Sequence, residues 1–107
     1  MGRKENVIER YLPMSEASFL LLSCLGKENH GYGIMMEVQE LTKDRVNLGA
    51  GTIYTLLYKM ENDGVINATR EVEKKKLYMI TELGKKLYDE EVKRLSELVE
   101  IGLKKKG

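Results

Sequence analysis

Hydrophobic residues recur at helical spacing through most of the chain and divide it into a short series of elements. Ile53, Leu56, Leu57 and Met60 fall at i, i+3, i+4 and i+7, which predicts a helix over 52–63 with one buried face. The opposite face carries hydroxyl groups and a cation, and a glycine follows as a C-terminal stop. A helix of this kind presents a polar surface to a partner.

Two more helices are predicted before this one. Residues 17–25 are apolar nearly all round, with Ser15 as N-cap, so that helix must be buried on both sides. In so small a domain, this burial favours cover by a second chain. The next helix is predicted over 32–43, after which Val46 and Leu48 alternate like a very short strand.

A hairpin and a long helix are predicted to complete the chain. Two strand-like runs at 65–72 and 77–80 flank a charged tip at 73–76. Thr81 is the predicted N-cap of a helix over 82–106, which would span about 35 Å at 1.5 Å per residue. Its apolar stripe repeats close to every 3.5 residues, and the helix is longer than the rest of the small domain, so we expect another chain to cover the stripe.

This order predicts a mainly α chain with a small β-wing. Residues 13–80 would form a winged helix-turn-helix domain, 81–107 a long C-terminal dimerisation helix, and 1–12 an N-terminal arm or short helix. In the winged-helix arrangement the third helix enters the DNA major groove and the wing touches the neighbouring backbone. The predicted DNA contacts are hydroxyl and basic side chains of the polar helix and the wing: Thr52, Tyr54, Thr55, Tyr58, Lys59, Arg70, Lys74, Lys75 and Lys76.

The apolar helix and the striped final helix together predict a homodimer. The predicted interface residues are Phe19, Leu22, Leu87, Tyr88, Val92, Leu95, Leu98 and Val99. A two-fold dimer would place its recognition helices about one DNA turn apart, roughly 34 Å, and would read a near-palindromic operator. Pairing of the two helices within one chain remains the alternative.

Charge leaves two function classes open. The chain has 18 basic and 17 acidic residues, a net charge of +1, where a nucleic-acid-binding protein is expected to carry excess positive charge. Net charge does not report how charge is distributed, so a basic face remains compatible with this total. A winged-helix module that binds a protein and not DNA is therefore the alternative to a DNA-binding regulator.

Catalytic and metal chemistry find little support in the residues. Cys24 and His30 are the single cysteine and histidine, so an internal disulfide is impossible and a zinc site within one chain is nearly excluded. His30 is expected to make a helix-start hydrogen bond, and Glu90 and Glu91 to lie on a charged helix face. We predict no enzyme activity and no cofactor. With neither an apolar run of eighteen residues nor a secretory leader, a cytoplasmic protein without a membrane span is expected.

Several stretches resemble the signatures of PadR-type transcriptional regulators. They are HGYGI at 30–34, GTIYTLLYKMENDGVI at 51–66 and KKLYMITELG at 75–84, with a similar lead-in, YLPMSEASFLLLSCL, at 11–25. The resemblance runs in matching order from Tyr11 to about Leu98. The single C-terminal helix is similar to that of the smaller subgroup.

This resemblance implies a winged-helix homodimer that usually represses by occupying operator DNA and is often released by an effector. The Gly-Thr-x-Tyr motif opens the family's recognition helix, so Thr52 and Tyr54 are expected to face DNA. The family's wing commonly carries an Arg-Lys pair where this chain has Lys75 and Lys76, which keeps the charge but loses bidentate phosphate geometry.

The effector expected from the resemblance is a small hydrophobic or aromatic molecule. Multidrug-binding relatives stack flat aromatic ligands on tryptophan, and this chain has no tryptophan, so that ligand class is not carried over. If a pocket exists, its candidate lining is Phe19, Tyr88, Leu95 and nearby methionines. The alternative is that these residues simply pack the dimer.

Overall fold

Five helices and one β-hairpin build the computed structural model, which describes the backbone of residues 3–107 and the side chains from residue 6 onward. The elements are α1 (Arg3–Tyr11), α2 (Glu16–Ser23), α3 (Gly31–Leu41), α4 (Ala50–Asn62), β1 (Ile66–Val72), β2 (Lys75–Ile80) and α5 (Glu82–Lys106). The predicted fold class, a mainly helical winged helix-turn-helix with a long C-terminal helix, is confirmed. No helix within this described part is both long and apolar enough to cross a bilayer.

Side-chain caps start three of the helices. Ser15 Oγ accepts the Ser18 N–H at the start of α2, and Thr81 Oγ1 accepts the Gly84 N–H at the start of α5. His30 Nδ1 accepts the Gly33 N–H at 3.1 Å and starts α3. Each cap satisfies a backbone donor that the helix itself leaves without an acceptor. The three predicted helix starts are confirmed.

One hydrophobic core joins all five helices to the hairpin. Leu21, Ile34, Leu57 and Ile66 are fully buried in it. Val7 of α1 is also buried there, so the N-terminal helix packs on the winged-helix body.

Two predicted interface residues lie inside this core. Leu22 is 1% exposed and Leu87 is fully buried, so neither can face a second chain. The physical reason is that α2 packs between α3 and α5, and the same chain supplies most of the cover that this apolar helix needs. The dimer prediction is wrong for these two positions, where the alternative of packing within one chain holds.

The hairpin is tighter than predicted. Glu73 and Lys74 alone form the turn, with φ of 51° and 66°, the left-handed pair that a two-residue hairpin loop requires. Lys75 and Lys76 therefore belong to β2 and not to the tip. A bulge at Thr69 interrupts the antiparallel register.

The third short strand is not where the sequence predicted it. Val46 and Leu48 lie in an irregular segment between α3 and α4 that pairs with no strand, and the side chain of Leu48 is buried in the core. Asn29 takes the strand position: its N–H donates to the Tyr78 carbonyl at 3.0 Å and its carbonyl accepts the Tyr78 N–H at 2.8 Å.

Helix α5 is anchored at its start and projects at its end. Gly84 lies so close to the entry of β1 that a Cβ there would be 2.2 Å from the Val65 carbonyl oxygen. Every side chain from residue 96 to the C-terminus is exposed.

Glu91 contradicts its predicted place on a charged face, because it is 1% exposed. It accepts two 2.7 Å hydrogen bonds from Arg94 and one from the Met14 N–H, which ties α5 to the α1–α2 connection. Those bonds from Arg94 hold the pKa of the Glu91 carboxyl below its usual value in spite of burial.

Candidate nucleic-acid interface

Helix α4 divides sharply into a buried and an exposed face. Ile53, Leu57 and Met60 are buried, which fixes how the helix is rotated about its axis. Its outward face carries the predicted contact residues, all of them exposed: Thr52, Tyr54, Thr55, Tyr58 and Lys59. Four hydroxyl groups and one ammonium group are thus held toward solvent on a rigid element.

Tyr54 is positioned by the start of α3. Its side chain is 57% exposed, yet its ring lies directly over Gly31. A Cβ at Gly31 would be 2.6 Å from Tyr54 Oη and 2.7 Å from Cζ, closer than side chains approach one another. The Tyr54 ring therefore occupies the space that any side chain at position 31 would fill.

A groove of about 310 Å³ separates α4 from the wing. It is lined by His30, Gly31 and Tyr32 at the start of α3, by Tyr54, and by Lys74, Lys75, Lys76 and Tyr78 of the hairpin. The structure thus brings the predicted helix tyrosine and three predicted wing cations to one concave surface. Such a surface suits a polyanion, because cations, hydroxyl donors and a helix N-terminus border it together.

Tyr32 is the residue of this groove that the sequence reasoning missed. It is exposed, and its hydroxyl adds another donor beside Tyr54. Gly31 and Gly33 lie in the first turn of α3, and Tyr32 projects between them.

Lys59 has partners within the chain. Its Nζ donates to Asp63 Oδ2 at 3.2 Å and lies 4.3 Å above the ring of Tyr11, whose hydroxyl donates to the same carboxylate at 2.8 Å. Burial, followed by the hydrogen bond to Asp63, raises the pKa of Tyr11 well above its ordinary value. Lys59 therefore links the end of α4 to α1, while more than half of its side chain stays exposed.

Two of the wing cations also meet carboxylates. Arg70 Nε and Nη2 lie 3.0 and 2.9 Å from Glu28 Oε1, and Lys76 Nζ lies 3.7 Å from Glu61 Oε1. The hydrogen bond from Arg70 lowers the pKa of Glu28 below its usual value. Arg70 lies outside the groove lining, so the structure separates it from the other wing cations.

The exposed half of α5 carries apolar side chains that nothing in the described chain covers. They include Val92, Leu98 and Val99, of which Val99 is 62% exposed, while Leu95 is partly buried. The remaining predicted interface residues, Phe19 and Tyr88, stack face to face with ring centroids 4.8 Å apart. Tyr88 Oη also lies 2.7 Å from Ser23 Oγ, within hydrogen-bond distance.

Metal binding has no geometric support in the part of the chain from residue 3 to 107. No group of three or more histidine, cysteine, aspartate or glutamate side chains is placed there to hold an ion. Cys24 is buried, and burial raises the pKa of its thiol to about 12.

Known structures share this fold. A transcriptional regulator from Clostridium thermocellum aligns with a TM-score of 0.73 at 23% identity, covering 92% of this chain and 93% of its own. A PadR family transcription regulator from Clostridium difficile aligns with a TM-score of 0.69 at 23% identity, covering 87% and 100%. Bacillus subtilis PadR, solved in complex with operator DNA, aligns with a TM-score of 0.62 at 26% identity, covering 70% of this chain and 46% of that one.

Sequence comparison agrees with the shared fold. An uncharacterized protein of Lysinibacillus sphaericus is 33% identical over 88 residues, which cover 78% of this chain and 81% of the relative. The family model described as "Transcriptional regulator PadR-like family" matches residues 21–90, well over half of the chain. The protein is therefore a member of the PadR-like family of transcriptional regulators.

Proposed function

We propose that this PadR-like regulator binds operator DNA as a homodimer, with α4 in the major groove and the wing against the flanking phosphates, and that it represses transcription. The observation that carries the proposal is the outward face of α4, where Thr52, Tyr54 and Thr55 are exposed opposite a fully buried face. Hydroxyl groups on a helix of this kind can reach both base edges and phosphate oxygens. The operator complex of Bacillus subtilis PadR supports DNA as the partner.

The wing supplies the second part of the proposed interface. Lys74, Lys75 and Lys76 border the groove beside α4, and each can neutralise one phosphate of a backbone that runs along it. Because such contacts are independent of sequence, the wing contributes affinity and register, while α4 contributes the choice of site.

The homodimer is proposed from the projecting part of α5. Val92, Leu95, Leu98 and Val99 present apolar surface along the helix, and burial against a second copy would remove this surface from water. Two such subunits would set their recognition helices about 34 Å apart and match a near-palindromic operator. The protein would act in the cytoplasm and would have no catalytic chemistry of its own.

Release by a small hydrophobic or aromatic effector is the last part of the proposal. Phe19 and Tyr88 form a flat, partly exposed aromatic pair, which suits an apolar or aromatic molecule, and Leu95 lies two helical turns beyond Tyr88 on α5. A thermal-shift screen with small aromatic compounds tests it: a binder should raise the melting temperature of the wild type and lower its operator affinity.

The test of the whole proposal is a duplex-binding titration. Fluorescence anisotropy with DNA from upstream of the protein's own gene, compared with random DNA, should give tight binding to the former. Affinity should fall steeply with salt, by about 0.9 in the log–log slope for each phosphate neutralised. Absence of binding to either duplex at low salt would overturn the proposal in favour of a winged-helix module that binds a protein.

A further inference from the structure

We propose that Glu28, Glu61 and Asp63 are competing carboxylates, which occupy the interface cations in the free protein and so lower its affinity for the phosphates of any DNA. The inference rests on the proposed DNA-binding function and extends it to residues that carry the charge opposite to that of a DNA contact. Its basis is that three of the five cations predicted to bind DNA already have an acidic partner on the winged-helix body.

Arg70 has the most complete pairing of the three. Its Nε lies 3.0 and 3.2 Å from the two oxygens of Glu28, and its Nη2 lies 2.9 Å from Oε1, a fork geometry that also suits phosphate. The bulge at Thr69 changes the direction of β1 immediately before Arg70. Glu28 belongs to the α2–α3 connection, one residue before the Asn29–Tyr78 bridge, so the wing is attached to the body both by backbone and by charge.

Lys76 and Lys59 also have acidic partners, each through a single contact. Lys76 Nζ lies 3.7 Å from Glu61 Oε1, and Lys59 Nζ lies 3.2 Å from Asp63 Oδ2. Both carboxylates come from the end of α4 and its cap, so they lie beside the recognition face itself.

In each pair the cation is more than half exposed and the carboxylate is partly buried, and ion pairs that are open to solvent on one side contribute little to folding stability. Their consequence for binding is larger, because a phosphate must displace a carboxylate before it reaches the cation. Operator and random DNA offer the same phosphates to these cations, so both kinds of duplex bear this cost. The pairs therefore lower the affinity of the protein for DNA of any sequence.

The experiment neutralises the carboxylates without changing their shape. Glu28→Gln and Glu61→Gln should each raise random-DNA affinity by roughly two- to fivefold, the range for removing one exposed charge partner. The log–log salt slope should steepen by up to about 0.9 for each additional phosphate that the protein neutralises, and operator affinity should rise by a similar factor. Asp63 is left unchanged because it also accepts the Tyr11 hydroxyl.

Glu73→Gln is the matched control, since it removes the same charge from a nearby position in the hairpin turn of the wing. In the described chain, Glu73 forms no ion pair with a basic side chain, and its exposed position is in the hairpin turn. An equal rise in random-DNA affinity for Glu73→Gln would assign the effect to general charge and overturn the proposal.

A second variant separates competition for Arg70 from a structural role of Glu28. In an Arg70→Gln background, Glu28→Gln should no longer raise random-DNA affinity, because no cation remains to be released. A rise that persists in this background, or no rise in the wild-type background, would contradict the proposal. Failure of every variant and of the wild type to bind DNA would instead refute the proposed function.

Discussion

A single methyl group at Gly31 should weaken operator binding through Tyr54. In Gly31→Ala the new Cβ would lie 2.6 Å from Tyr54 Oη, 2.7 Å from Cζ and 3.0 Å from Cε1. Carbon contacts are favourable at about 3.5–4.0 Å, so the ring must move by about 1 Å or swing outward. Moving the ring away from its preferred rotamer destabilises the folded protein by on the order of 0.5–1.5 kcal/mol. Replacing a helical Gly by Ala stabilises it by a similar amount, so folding stability should change little.

Operator affinity should change more than stability does. A well-placed contact between a side chain and a base edge contributes about 1–3 kcal/mol, so displacing Tyr54 should weaken operator binding by about 5- to 150-fold. Fluorescence anisotropy at fixed salt measures the affinity, and thermal melting checks that the variant is folded. Gly26→Ala is the matched control, because a Cβ there meets no atom within 4 Å.

A double-mutant cycle decides whether Gly31 acts through Tyr54. In a Tyr54→Ala background the ring is gone, so Gly31→Ala should cause no further loss of operator affinity. If Gly31→Ala weakens binding equally in both backgrounds, a role for the Gly31–Tyr54 contact in DNA binding is refuted.

Four further perturbations test other parts of the structure. Thr81→Ala removes the α5 cap and the single hydroxyl donor that the Gly64 and Val65 carbonyls share, and should lower the free energy of unfolding by about 1–2 kcal/mol in denaturant titrations, whereas Thr81→Ser should lose much less. Because the pKa of Glu91 is lowered in the folded protein, this carboxylate stabilises the fold above its unfolded pKa, near 4.3, and the stabilisation is lost as the pH falls toward the folded pKa. Glu91→Gln should therefore reduce the loss of stability at acid pH, measured as melting temperature against pH. An unchanged profile would contradict the pairing of Glu91 with Arg94. Lys75→Ala combined with Lys76→Ala should lower affinity for all duplexes and flatten the salt slope, so an unchanged slope would remove both lysines from the DNA contact. Leu95→Glu should convert a dimer to a monomer in sedimentation and abolish operator binding, and a monomer that binds operator as tightly as the wild type would contradict the proposed assembly.

The order of elements could be predicted because each leaves a local signal. The spacing of Ile53, Leu57 and Met60 predicted α4 and its buried face, and Ser15 and Thr81 marked two helix starts by their capping hydroxyls. These signals depend on a few neighbouring residues, so they hold without knowledge of the tertiary contacts.

Where the sequence reasoning failed, the missing information was non-local. Periodicity shows that Leu22 and Leu87 must be buried, but it does not say whether the covering surface belongs to the same chain or to another. Arg94 lies only three residues from Glu91 on α5, but the burial of Glu91 depends on the packing of α5 against the distant α1–α2 connection, where it meets the Met14 N–H.

The hairpin tip was misplaced for a local reason. Glu73 and Lys74 adopt positive φ without the Asn-Gly or Asp-Gly pair that usually identifies a two-residue turn. Four charged residues in a row therefore predicted a longer tip than the two-residue turn that the structure contains.

The candidate interface was predictable in its residues and not in its electrostatics. The sequence identified the exposed hydroxyls of α4 and the wing lysines, but not Glu28 or Glu61, because acidic residues give no positive signal for DNA binding. Their position beside Arg70 and Lys76 arises only when the α2–α3 connection and the end of α4 pack against the wing.

The operator-to-random affinity ratio of two hydroxyl-deleting variants tests the central claim most directly. Thr52→Val and Tyr54→Phe keep the side-chain shape on the exposed face of α4 and remove only the hydroxyl group. If this face reads base edges, each variant should lose operator affinity and keep most of its random-DNA affinity, so the ratio falls. Equal losses on both duplexes, or no loss on either, would contradict sequence readout by α4.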